Sequence, residues 1–192
     1  MRRALATLIL IVALAPIVGS AQDDNEAVVA LLPAPETLGE GWTLLVNDPT
    51  EDLLPVFRAA TVGTYGGPAG ARVVLNVLLV GEGMTAVRGS WEQVTDYLQE
   101  FDTRMVLEVD DERNQAIEAM APPDGCSDVR RVEGHELIGG TAFPVGVTLC
   151  AADPDVLLVA AVSGEMDGRT GLDASDAVIE MTLAAQSATP TP

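Results

Sequence analysis

Lysine is absent from the 192-residue sequence, and all ten of its basic residues are arginine. Positive charge is scarce too, because 29 acidic side chains set the formal net charge at −19. Nucleic-acid binding and docking on anionic lipid both draw on clustered Lys and Arg, so the composition argues against either. Aromatic residues make up only 4%, too few for a stacking platform, and Trp42, Tyr65 and Trp91 read as packing residues. One histidine excludes a His-rich metal centre. Two cysteines with one histidine fall short of a structural zinc site, and no C-x-x-C redox pair occurs. The chain also lacks a P-loop, a dinucleotide fingerprint, H-E-x-x-H, the G-x-S-x-G elbow and the Asp-Thr-Gly or Asp-Ser-Gly of aspartic proteases.

What is present is apolar. Hydrophobic residues form 48% of a chain long enough for one ordinary domain with a real core. Met1-Arg2-Arg3, an apolar run from Ala4 to Val18 and the small residues Gly19-Ser20-Ala21 have the three parts of a secretory signal peptide, with cleavage expected after Ala21. The alternative is an uncleaved anchor helix, for which the run is short and Pro16 a breaker. No later run is long enough to span, so the product is expected outside the cytoplasmic membrane (secreted or periplasmic), with no membrane insertion after cleavage. In an oxidising compartment the pair Cys126 and Cys150 reads as one disulfide. A lysine-free acidic composition fits both a high-GC genome and a salt-adapted one.

Behind the leader the pattern is mostly strands. Residues 1–21 are the signal peptide, 22–41 an N-terminal leader with a short helical turn at Ala27–Leu32, 42–186 a single domain and 187–192 a disordered tail. Strands are expected at 42–46, 56–64 and 72–80, with Tyr65-Gly66-Gly67-Pro68-Ala69-Gly70 as a hairpin loop. A helix follows, opened by the capping-box pair Ser90 and Gln93 and carrying Trp91, Val94, Leu98, Phe101 and Met105 on one face. Asp110–Met120 is a shorter helix. The second half repeats the order, with strands at 129–138, 145–150 and 156–162. Its last helix, capped by Asp173, has Ala174, Ala177, Val178, Met181 and Ala185 on a common face. Tight connections require antiparallel pairing. The fold class is therefore α+β: a two-layer sandwich, an antiparallel sheet of about six strands with helices packed on one face, strand-strand-strand-helix occurring twice.

Leu31-Leu32-Pro33, then Leu38-Gly39-Glu40-Gly41-Trp42, three strands, a helix and a second half with the cysteines resemble uncharacterised secreted proteins of high-GC bacteria. The layout is similar to PsbP-like folds and to the extracellular sensor domains of mycobacterial-type Ser/Thr kinases. The resemblance implies a sensor-like or accessory role. Those sensor domains usually carry more than one disulfide where this chain allows one, so no binding residue is carried over.

Candidate chemistry is sparse. A Ser-His-Asp or Cys-His mechanism would have to run through His135, in Glu133-Gly134-His135-Glu136, which reads instead as a strand histidine beside a glutamate. The many carboxylates chiefly solvate the surface. Ser163 to Gly168 places oxygen ligands at alternate positions as a calcium loop does, yet the twelfth position is Ala174 rather than Glu. Asp167, Asp173 and Asp176 remain the candidates for an irregular calcium site, though the last two suit a helix N-terminus. No catalytic, cofactor or metal site is assigned. The function expected is an exported, non-enzymatic acidic domain that binds a small molecule or a partner protein. The alternatives are a small extracellular hydrolase using His135 or a carboxylate pair, and a structural cell-envelope protein.

Overall fold

A computed structural model of the chain describes residues 19–49, 57–81, 105–107, 116–138, 140–152 and 155–188. The signal-peptide run, the expected helix over 90–104 and the tail from 189 lie outside the described residues.

Helix α1 (Gly19–Ala30) and the single turn α2 (Pro35–Leu38) lead into strands β1 (Thr43–Pro49), β2 (Phe57–Gly66) and β3 (Arg72–Val80). Next come β4 (Met105–Leu107), β5 (Asp128–Ile138), β6 (Thr141–Ala152) and β7 (Val156–Ser163). A two-residue ribbon, β8 (Glu165–Met166) and β9 (Arg169–Thr170), precedes the last helix, α3 (Gly171–Ala188). Strands β1 to β7 form one sheet in the order β1-β2-β3-β7-β6-β5-β4, and every adjacent pair is antiparallel. Six long strands carry it, and the three-residue β4 extends one edge.

The sheet consists of two meanders, β1-β2-β3 and β7-β6-β5, joined where β3 pairs with β7. Asn76 stands opposite Val159 and Val77 opposite Leu158 at that seam. These central strands read as nearly continuous apolar runs because both their faces are buried. Val73, Leu75, Val77 and Leu79 of β3 face the helices together with Leu158, Ala160 and Val162 of β7. Leu78, Val80, Leu157 and Val159 belong to a second buried cluster with Val145, Val147 and Leu149. Alternation along each strand assigns the two clusters to opposite faces. Each fully buried Leu or Val contributes about 1.5–3 kcal/mol.

Helices α1 and α3 share the first face. Val28 of α1, Leu38 of α2, and Ala174, Ala177, Val178 and Ile179 of α3 all enter that cluster. Residues 22–41 are thus packed onto the sheet: Leu31 and Leu32 lie against the core, and the Tyr65 hydroxyl donates to the Pro33 carbonyl at 2.9 Å. The β2–β3 loop uses left-handed backbone at Gly70 (φ 81°), which glycine adopts freely, and also at Ala69 (φ 54°). Cys126 and Cys150 are bonded, so the expected disulfide is present and ties the entry of β5 to β6.

Two local expectations are corrected. Met105, assigned to the buried face of a helix, is extended in β4 and pairs with Glu136. The last helix begins at Gly171, which puts Asp173 in the first turn rather than at the cap. Among the described residues, no helix is long and apolar enough to cross a membrane.

Candidate functional site

Strand β1 forms one edge of the sheet, and its outer side pairs with nothing among the described residues. Trp42 fixes where it starts. The indole is buried against Gly67, where even a methyl group would come within 2.7 Å of the ring. From there the strand runs against β2 with a register shift between Leu44 and Val46, a bulge that leaves Leu45 without a partner residue. Leu44 stands opposite Tyr65 on the helix-covered face, and Val46 stands opposite Thr64 on the other. Leu45 lies over Gly66 and shares the side of Val46, since a Cβ built at Gly66 would meet Leu45 Cδ1 at 3.0 Å. Leu44, Leu45 and Val46 are 40%, 62% and 50% exposed. Three consecutive large apolar residues on an open edge, projecting from both faces, are what folded proteins ordinarily avoid.

The surroundings of this edge are acidic. Asp23, Asp24 and Glu26 lie on α1, Glu36 on α2, Glu40 just before Trp42, and Asp48 on β1 itself. Arg58 is the one cation among the described residues from 19 to 66, and it is held by Asp24 at 3.3 Å. Asn47 Oδ1 accepts from the Thr61 hydroxyl at 3.0 Å, which anchors the far half of the strand.

The second concentration of polar groups is internal. Arg131 of β5 points toward α3, with a side chain only 2% exposed. Its Nε donates to both carboxylate oxygens of Asp176 at 3.0 Å, and its two amino groups donate to the Met120 and Ala121 carbonyls at 3.3 and 2.7 Å. Thr148 Oγ1 donates to Asp176 Oδ1 at 2.6 Å and lies 2.8 Å from Ser175 Oγ, which donates to the Leu172 carbonyl. The arrangement, whose hydroxyls are buried, locks β5, β6, α3 and the 116–121 segment together.

The residues singled out in the sequence are dispersed. His135 is half-buried on β5 between Pro144 of β6 and Val106 of β4. Neighbouring Glu136 is buried on the sheet face away from α3 and accepts from Arg72 at 3.0 Å. Asp176 is engaged by Arg131 and Thr148. Asp173 is exposed on α3, and Asp167 is exposed in the β8–β9 turn with φ 51°. No group of three His, Cys, Asp or Glu close enough to hold a metal occurs among the described residues. Burial pushes the pKa of the Tyr65 phenol up to about 12. That ionisation lies far above neutral pH, so the phenol is a structural donor.

In the sequence, Trp42 to Val46 reads simply as a strand and not as an exposed edge. The signal that marks it is the absence of polar alternation in a strand placed first in a meander. Comparison with protein-family models, with curated proteins and with solved structures finds no match.

Proposed function

We propose that the chain is an exported, non-enzymatic domain that binds a partner protein along β1. The observation that carries this reading is the exposed Leu44-Leu45-Val46 on an open sheet edge. A small-molecule role has less support, because the polar groups brought together by folding are spent on one another. Export is supported by the leader-like N-terminus and by the disulfide, a bond that persists in oxidising compartments. A sensor-like or accessory role, as in the extracellular kinase domains the layout resembles, fits such a module. The same reading takes the fold as a two-layer sandwich built from two strand-strand-strand-helix units, for which the paired meanders are the support.

Photo-crosslinking in a producing cell tests this. With a photoreactive residue at position 45, the exported and cleaved protein is expected to give a discrete adduct, whereas the same group at exposed Arg169 gives none. Recovery of the uncleaved chain from cytosol, or equal labelling from both positions, would refute the proposal.

A further inference from the structure

We infer that the partner is an extended segment with alternating apolar and cationic side chains, which adds to β1 as a further strand. The inference rests on the binding reading above and specifies the chemistry of the same edge.

Geometry selects a strand. Leu44 projects from one face of the sheet while Leu45 and Val46 project from the other. A helix laid on either face would reach only one set. A strand in the plane of the sheet presents side chains to both faces and satisfies the outward N–H and C=O groups of β1. Its length is limited at both ends. Trp42 is buried at the start, Leu45 is bulged, and Pro49 has no N–H to donate. A match of about four to six residues is what this edge accommodates.

Charge selects the intervening residues. Asp48 lies on the strand, and Glu36, Glu40, Asp23 and Glu26 are exposed on the elements leading into it or packed beside it. The cations on the neighbouring strands are already engaged, Arg58 by Asp24 and Arg72 by Glu136. Lys or Arg pointing to the helix-covered side would meet Glu36, Glu40, Asp23 and Glu26, while the alternate Val or Leu on the opposite side cover Leu45 and Val46. A second copy of this chain would bring the same carboxylates to the same place, so self-pairing through β1 is disfavoured. The bulge and Pro49 act against it in the same direction.

The test uses the exported, disulfide-intact protein and two fluorescent peptides, one alternating valine with lysine and the other valine with glutamate. Anisotropy at about 0.15 M salt is expected to show binding of the lysine peptide alone, with the amides of residues 43–48 gaining protection from hydrogen exchange. Val46→Asp and Leu45→Asp make the protein more acidic and would strengthen a purely ionic attachment. They are expected instead to weaken binding about tenfold or more, because they remove the apolar contact. Thr170→Asp, an equal charge change at a distant exposed site, should leave binding unchanged.

Tighter binding by the Val46→Asp or Leu45→Asp protein, equal binding of both peptides, or absence of binding up to about 1 mM would each overturn the inference. So would a dimer in sedimentation that Val46→Asp dissociates. If the lysine peptide fails while crosslinking from position 45 still gives a discrete adduct, binding through this edge stands and only the partner's chemistry is wrong.

Discussion

Gly146 of β6 packs directly on the backbone of Gly171, so that a Cβ built on Gly146 would lie 2.1 Å from the Gly171 carbonyl carbon. Helix α3 starts at that point, and its first turn can approach the sheet only because Gly146 has no side chain. Gly171 also requires φ +56°, which glycine adopts without strain. Gly146→Ala has no flexible neighbour to displace and must shift the helix. The expected cost is about 3 kcal/mol, read as a fall in Tm of about 6–12 °C by calorimetry.

Arg131 and Asp176 offer a second, independent measurement. Arg131→Met leaves a largely buried carboxylate without its cation and two carbonyls without the guanidinium donor, for an expected loss of about 3–5 kcal/mol in urea unfolding. Arg131→Met combined with Asp176→Leu removes the stranded charge as well. The double variant should be more stable than Arg131→Met alone, and a double variant no better than the single one would show that the pair's role is not electrostatic.

Alkaline titration should isolate Tyr65. Its phenol ionises near 10 when unfolded and about 12 when folded, because burial penalises the charged form. The resulting stabilisation, on the order of 2–3 kcal/mol, is fully present below pH 10 and disappears as pH rises through 12. Tyr65→Phe should flatten that part of the stability profile. It should also cost about 1 kcal/mol at neutral pH, where the Pro33 carbonyl loses its donor.

Reduction of Cys126–Cys150 opens a link between residues 24 apart in sequence. On the chain-entropy model, the Cys126→Ser, Cys150→Ser protein should lose about 3.5 kcal/mol. Thiol titration of the protein purified without reductant should find no free thiol, and two free thiols would contradict the bond.

Strand positions were readable because their signals are local. The 72–80 strand was placed to the residue, and the 156–162 strand ends one residue later in the structure, at Ser163. The glycine-rich loop between β2 and β3 announced a hairpin, and the α3 face from Ala174 to Val178 appeared as a stripe of small apolar residues. What escaped depends on distance in sequence. Nothing near Arg131 points to Asp176, 45 residues away. Nothing in either meander reveals that β3 and β7 will meet. Met105 continued a helical spacing, yet its place beside Glu136 is decided by an open strand edge that only the folded β5 provides. The edge proposed to bind is hidden for the same reason: Leu44-Leu45-Val46 reads as an ordinary strand until the strand order shows that nothing among the described residues pairs with its outer side.

The β3–β7 seam also constrains how the protein is made. Residues 72–80 cannot find 156–163 until most of the polypeptide has emerged, and closing so large a loop slows folding. The first meander must therefore wait with Leu75, Val77 and Leu78 uncovered while the rest of the chain is delivered. Such an intermediate is prone to clump, and a holding chaperone would shield it. Production yield should consequently depend more on how quickly the last third of the polypeptide follows the first than on the stability of the finished fold.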